Sequence, residues 1–267
     1  MTAFLLDHAV PLRLAAFVAV LLVMALWEVL APRRTQLIGR MARWPNNLGV
    51  VLLDTLVVRL FIPTTLAAFS GFVGAHGWGL LNWIPVPDVV ASIVSMLLLD
   101  LAIYTQHVAF HAVPLFWRLH RMHHSDLEID VTTGIRFHPV EIVLSVLIKM
   151  AVIGLLGAPV VAVLAFEVIL NATSMFNHSN ARLPLWLDAA VRAVLVTPDM
   201  HRVHHSVARA ETDSNFGFNL SVWDRVFGTY RREPAAGQLG MTIGIPKFRD
   251  PAELRLDRML TQPFREG

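Results

Sequence analysis

Residues 89–124 read VVASIVSMLLLDLAIYTQHVAFHAVPLFWRLHRMHH. The run opens as an apolar stretch long enough to cross a bilayer, which takes about 20 mostly apolar residues. It closes on five histidines. His107 and His111 are four apart, a spacing that on a helix places both imidazoles on one face with Cβ atoms about 5–6 Å apart. His120, His123 and His124 stand at i, i+3 and i+4. A membrane helix that runs straight into a histidine cluster decides the fold class: an all-α, integral-membrane helical bundle with a histidine-rich helical cap.

Composition agrees. Of the 267 residues 55% are hydrophobic and only 16% charged, with a mean hydropathy of +0.56, against about 25% charged in a soluble domain. The pI is near 9.5 but the formal net charge is only +2. The basic residues form no stripe, so nucleic acid is not expected as a partner. There is no cysteine, which excludes disulfides, thiolate zinc, cysteine nucleophiles and cysteine-held iron–sulfur clusters in this chain.

Outward from the opening stretch, Leu12–Leu30 is a second apolar span. It is too long for a signal-peptide core and is followed by Pro32-Arg33-Arg34, so no cleavable leader is expected. Leu48–Phe72 is another span, interrupted by Asp54 and Arg59, which are expected to face the bundle. Val140–Phe176 is too long for one crossing; Gly154, Gly157 and Pro159 divide it into a helical hairpin. Leu185–Val196 is short, carries Asp188 and Arg192, and reads as an interfacial helix. The expected organisation is a single membrane domain over 1–267. It comprises four to five membrane helices, with those of 12–110 followed by a catalytic histidine-box region at 107–232 that includes the hairpin 140–176. A polar tail at 233–267 holds a short amphipathic helix over Pro251–Leu260.

Arginine placement orients the chain. Arg33, Arg34, Arg40 and Arg43 follow the first span, Arg118, Arg121 and Arg136 follow the span ending at Phe110, and residues 70–87 carry no Lys or Arg. The positive-inside rule then puts the histidines at the cytoplasmic face of the inner membrane.

His120-Arg121-Met122-His123-His124-Ser125 recurs as His201-Arg202-Val203-His204-His205-Ser206. A repeated six-residue box without a repeated domain indicates one chemistry used twice. Adjacent helical residues diverge by about 100°, so one box can serve two neighbouring metals. Three boxes provide eight imidazoles, with His178 and His138 available besides. A lone histidine near a membrane surface is ordinarily a hydrogen-bonding residue. Eight uncoordinated rings gathered together would instead be costly, since neutral rings need partners and charged rings repel. Catalytic zinc takes three protein ligands, so the count points to two metals. Neither Glu-x-x-His nor His-Glu-x-x-His occurs.

The run Asp100 to His124, with Phe137-His138-Pro139-Val140-Glu141, Asn177-His178-Ser179-Asn180, Thr197-Pro198 leading into the second box, Glu211 to Asn219, and Trp223 to Thr229, resembles the sterol desaturase/fatty acid hydroxylase superfamily. The likeness covers about residues 95–232 and is closest to bacterial sterol-desaturase-like members. It implies a membrane-bound di-iron oxygenase that uses O2 to hydroxylate or desaturate lipid C–H bonds, with two Fe ions (zinc as a substitute). It implies ligands at His107, His111, His120, His123, His124, His201, His204 and His205, with His178 as a further one. For His138, ligation competes with a second-sphere or substrate-side role. Asp100, Asn177, Asp213, Asn215 and Asp224 are placed to hydrogen-bond ligand imidazoles or to cap turns. Trp117 and Trp223 read as interfacial anchors, and Arg121 and Arg202 as anion contacts or solvated side chains. No flavin or nicotinamide fingerprint is present, so electrons are expected from a separate reductase or ferredoxin-like partner. The alternatives are the same centre acting on a carotenoid, alkane or ether lipid, or a membrane metal-binding or transport protein.

Overall fold

A computed structural model describes residues 2–266. Five helical segments are long and apolar enough to cross a membrane. Helix α1 (Thr2–Leu30) begins ten residues before the expected span, because the chain ahead of Leu12 is also mostly apolar. Helix α2 (Arg40–Phe61) stops where Ile62 precedes Pro63. Proline disfavours helical backbone in the residue before it and supplies no N–H. Ile62 accordingly lies at φ −131°, ψ 86°. Thr65 then caps α3 (Leu66–Ala75), accepting from the Ala68 N–H at 3.1 Å. The expected single span 48–72 is therefore two helices. Asp54 is buried as expected, but Arg59 is exposed; five residues apart, the two point about 140° away from each other on a helix of 3.6 residues per turn.

A short helix α4 (Leu80–Trp83) leads to α5 (Asp88–Ala112), and Pro114 at the start of α6 (Pro114–His124) makes the corner between them. The hairpin divides as its glycines suggested, into α7 (Pro139–Leu156) and α8 (Val160–Asn177). Gly157 ends α7 with φ +71°, and a Cβ on neighbouring Gly79 would lie 2.1 Å from the Gly157 nitrogen. Only glycine fits this backbone crossing. Helix α7 packs on α2, α3 and α5, whereas α8 packs on α1, α3 and α5.

Helix α9 (Leu185–Arg192) is shorter than the expected 185–196; it exposes Leu185 and Trp186 and buries an Asp188–Arg192 ion pair at 2.5 Å. Helix α10 (Pro198–His204) follows. The tail helix is interrupted: a 3-10 turn (Pro251–Leu254) capped by Asp250 is separated by extended Arg255 from helix Leu256–Thr261. These pieces pack on α2 and, through Gln262–Phe264, on α6.

The C-terminus of α1, N-terminus of α2, all of α6 and the C-terminus of α8 meet at one end, through Arg33 N–H to Asn180 O at 2.7 Å and Arg43 to Asp126 at 2.8 Å. The Gly79–Gly157 crossing lies at the other end. Several arginines behind the topology argument are not at the surface. Arg43 and Arg136 are fully buried, paired with Asp126 at 2.8 and 3.3 Å. Their place in the sequence reports internal ion pairing as well as any membrane side.

Candidate metal centre

Helix α5 carries His107 and His111, α6 carries His120, His123 and His124, His178 caps α8, and α10 with its cap carries His201, His204 and His205. All nine are buried. Their ring nitrogens converge in two groups, one of His107, His111, His120, His124 and His204, the other of His123, His178, His201 and His205, each with its nitrogens within 4.8 Å of one another. The adjacent histidines of each box enter different groups: His123 and His124 part, as do His204 and His205. The two groups are neighbours, with His124 stacked on His205 at 4.5 Å and His201 on His204 at 4.9 Å.

Tautomers follow from the acceptors. Nδ1 of His107 faces Phe216 O at 2.8 Å, that of His123 Arg136 O at 3.1 Å, that of His178 Ser174 O at 2.7 Å and that of His204 Ser214 O at 2.8 Å. A carbonyl can only accept, so each Nδ1 carries the proton and each Nε2 presents a lone pair. Yet Nε2 of His123 and Nε2 of His178 stand 3.1 Å apart, and the same separation recurs for His178–His201, His107–His120 and His111–His124. In the His123–His178 pair both Nδ1 atoms hold the proton, so two lone pairs face each other there and repel unless a cation lies between them. Nitrogens each about 2.0–2.1 Å from one ion end up roughly 3 Å apart when they subtend near a right angle. Nε2 of His204 and both ring nitrogens of His205 are buried with no partner in the protein. Burial lowers the pKa of His120 and His178 to about 3, and burial followed by neighbouring imidazoles lowers His123, His124, His201, His204 and His205 well below the ordinary value. Neutral rings are the metal-binding form. The donor set fits two cations.

Around the rings lies a shell that holds them. Nδ1 of His120 donates to Glu141 Oε1 at 2.7 Å and that of His111 to Asp213 Oδ1 at 3.3 Å. Asp213 thus touches a ring directly; the other polar residues singled out in the sequence act one step back. Asp224 accepts from the N–H groups of Phe216 and Gly217 at 2.7 and 2.9 Å, and Asn215 donates to Met200 O at 2.9 Å. Asn177 donates to Phe218 O and Trp223 to Asp100, both at 2.8 Å. Trp223 is accordingly tied into the bundle rather than serving simply as an anchor, and Trp117 lies 4.9 Å from His111 beneath the Arg209 guanidinium. Arg202 is buried against Asp199, and Arg121 donates to the Gln262 and Arg265 carbonyls, so neither is a solvated side chain. Burial raises the Asp126 carboxyl, but Arg43 and Arg136 outweigh it and leave its pKa at about 2. Arg136, held there, offers its carbonyl to His123.

His138 stands outside both groups: its Nδ1 accepts from the Val140 N–H at 3.2 Å and its Nε2 faces Leu260 O at 3.4 Å. His8 and His76 lie on α1 and at the end of α3, away from the groups. Sequence reasoning quoted Glu141 within a motif but gave it no role at the site. Its signal was a carboxylate in the first turn of an otherwise apolar hairpin arm. The carbonyls of Arg136, Ser214 and Phe216 leave no signal at all. A cavity of about 250 Å³ lined by Val108, His111, Ala112, Arg209, Asp213 and Phe216 opens beside His111. On the bundle side Phe137 stacks on His123 at 4.3 Å and Phe218 lies 5.1 Å from His107.

The fold and site thus define a multi-span helical membrane bundle with nine imidazoles in two groups at one end. The fatty acid hydroxylase family model matches residues 92–229. An ornithine lipid hydroxylase of Rhizobium tropici is 28% identical over 166 residues, covering 60% of this chain and 48% of that protein. The alkylglycerol monooxygenase of Homo sapiens is 28% identical over 163 residues (61% of this chain, 35% of that protein), and that of Danio rerio 30% over 156 residues (58% and 34%). The chain therefore matches less than half the length of these relatives. No solved structure matches it significantly. The chain belongs to the fatty acid hydroxylase family.

Proposed function

We propose that this protein is a membrane-bound, O2-dependent di-iron hydroxylase of lipid C–H bonds. The observation that carries the reading is the facing Nε2 pair of His123 and His178, 3.1 Å apart with both Nδ1 protons committed to carbonyls. One ion would be held by His107, His111, His120, His124 and His204, the other by His123, His178, His201 and His205. Imidazole suits iron, and five donors in one group exceed the four that zinc ordinarily takes. Bound as a pair, the irons would supply the redox chemistry that activates O2 toward an unactivated C–H bond.

The chain's own residues prepare that chemistry. Glu141, Asp213 and the carbonyl acceptors fix ring orientation, as partners of metal-bound histidines do. Phe137 and Phe218, which pack with the apolar core between α5, α7 and α8, would guide an apolar chain toward the rings and keep water away. The relatives, an ornithine lipid hydroxylase and alkylglycerol monooxygenases, favour hydroxylation of a lipid over desaturation. Electrons would come from a separate reductase or ferredoxin-like donor, and the cavity beside His111 offers an approach to the rings. The setting is the inner membrane with the centre on the cytoplasmic side. A transporter would place its ionisable groups mid-bilayer, whereas these histidines sit at one end of the bundle.

The test compares lipid extracts from cells making the wild-type or the His123→Ala protein under 18O-labelled dioxygen. One labelled oxygen in a lipid of the wild-type cells alone is expected. Equal labelling in both would overturn the proposal.

A further inference from the structure

The tail, residues 233–266, lies outside the family-matched stretch 92–229, yet it grips both copies of the repeated histidine box. It does so through two buried glutamines, Gln238 and Gln262. At the second box, Gln238 Oε1 accepts from Arg202 at 3.1 Å and Gln238 Nε2 donates to Asp199 O at 2.8 Å. The chain beyond it runs alongside the box: Val207 N–H donates to Thr242 O at 2.9 Å and Gly244 N–H to His205 O at 3.0 Å. Arg34, in the connection between α1 and α2, fastens this part of the tail by donating to Met241 O at 2.8 Å.

At the first box, Ser125 Oγ donates to Gln262 Oε1 at 2.7 Å, and Gln262 Nε2 donates to Glu253 O at 3.3 Å. The Gln262 and Arg265 carbonyls accept from Arg121. A guanidinium only donates and a carbonyl only accepts, so the partners set both amide orientations. Each glutamine thus satisfies a donor on one side and an acceptor on the other. Neither an apolar nor an acidic side chain could serve both.

The two metal-binding groups depend on this grip unequally. From Gln262 two further bonds lead to His123: Arg136 Nη2 donates to Ser125 Oγ at 2.8 Å, and Arg136 O accepts from His123 Nδ1 at 3.1 Å. Nδ1 of His201 and both ring nitrogens of His205 have no partner in the protein, so these rings depend on how their box is seated. His123, His201 and His205 all belong to the second group. In the first group, four of the five rings are instead fixed by Glu141, Asp213 and the carbonyls of Ser214 and Phe216. Those supports all lie within residues 92–229.

We infer that the tail completes the second histidine group. Gln262 and Gln238 are positioning residues that seat the two boxes against each other and govern how firmly the second ion is held. The inference rests on the two-cation reading of the centre, not on the identity of the lipid.

The experiment follows metal release rather than turnover. Full-length protein in phosphatidylcholine nanodiscs is loaded anaerobically with Fe(II), and transfer to excess ferrozine is recorded by absorbance. The wild type should give up two ions per chain. Gln262→Met is similar in volume and leaves Ser125 an acceptor in Met122 O at 2.8 Å. In it one ion should leave about tenfold faster, the low end of what losing an outer partner costs, while the other keeps its wild-type rate. Gln238→Met should do the same. Ser125→Ala with Gln262→Met should be no faster than Ser125→Ala alone, because the two residues share one bond. Leu254→Ala removes a buried apolar side chain from the same tail and should lower thermal stability without separating the two rates. Wild-type release in either glutamine variant, or equal acceleration of both ions, would contradict the role of the tail. Fewer than two ions in the wild type would instead overturn the two-cation reading, and this inference with it.

Discussion

His123 and His178 sit 55 residues apart in sequence, yet their Nε2 atoms are 3.1 Å apart, and neither can donate to the other because each Nδ1 holds the proton against a carbonyl. The pair is a repulsive contact that a cation turns into an attractive one. Metal removal should therefore lower the thermal stability of the detergent-solubilised protein, and readdition should restore it.

The same relation separates two histidines that the sequence left side by side. His178→Ala should reduce bound metal toward one ion per chain, whereas His138→Ala, at a residue that caps α7 outside both groups, should keep two. Elemental analysis of the purified variants decides it; metal loss in His138→Ala of the same size would contradict the grouping.

Glu141 holds His120 at 2.7 Å from beneath the first group. Loss of such an outer partner typically costs 10–100-fold in metal affinity or activity. Glu141→Ala should show a loss of that order in metal retention against a chelator. Glu141→Gln, whose amide oxygen still accepts, should fall between it and the wild type. Wild-type retention in Glu141→Ala would remove this residue from the site.

Arg43 ties α2 to the loop after the first box through Asp126 and Asp130. Breaking a buried pair by removing one partner costs about 3–5 kcal/mol, so Arg43→Met should be strongly destabilised in thermal unfolding, with metal loss following through Arg136 and His123. The pH dependence has a definite sign. Asp126, held at about 2 by its arginines against an ordinary 3.8, contributes its stabilisation above the ordinary value and loses it only as the pH falls toward 2. Weakening of the wild type between pH 7 and 5 that vanished in Asp126→Asn would contradict this.

Much of the fold was legible because its signals are local. Apolar length gave the spans, Gly157 and Pro159 the hairpin turn, and the i, i+3, i+4 spacing the one-sided boxes. Pro63 splits a stretch that hydropathy averages into one span, and Arg59 was grouped with Asp54 on charge alone. Arg43 was read by charge and position, whereas its acidic partners Asp126 and Asp130 come from another segment; Arg202 pairs with Asp199 three residues away on its own helix.

The sequence by itself determined that this chain is a helical membrane bundle ending in a histidine cluster, because apolar length and helical periodicity are properties of contiguous residues. Only the tertiary structure decided which histidines share a group, that His138 stands apart, and that Glu141, Arg136 and Ser214 supply the hydrogen bonds that fix the rings. Those relations depend on how α5, α6, α8 and α10 cross at one end, and a backbone carbonyl belongs to every residue alike.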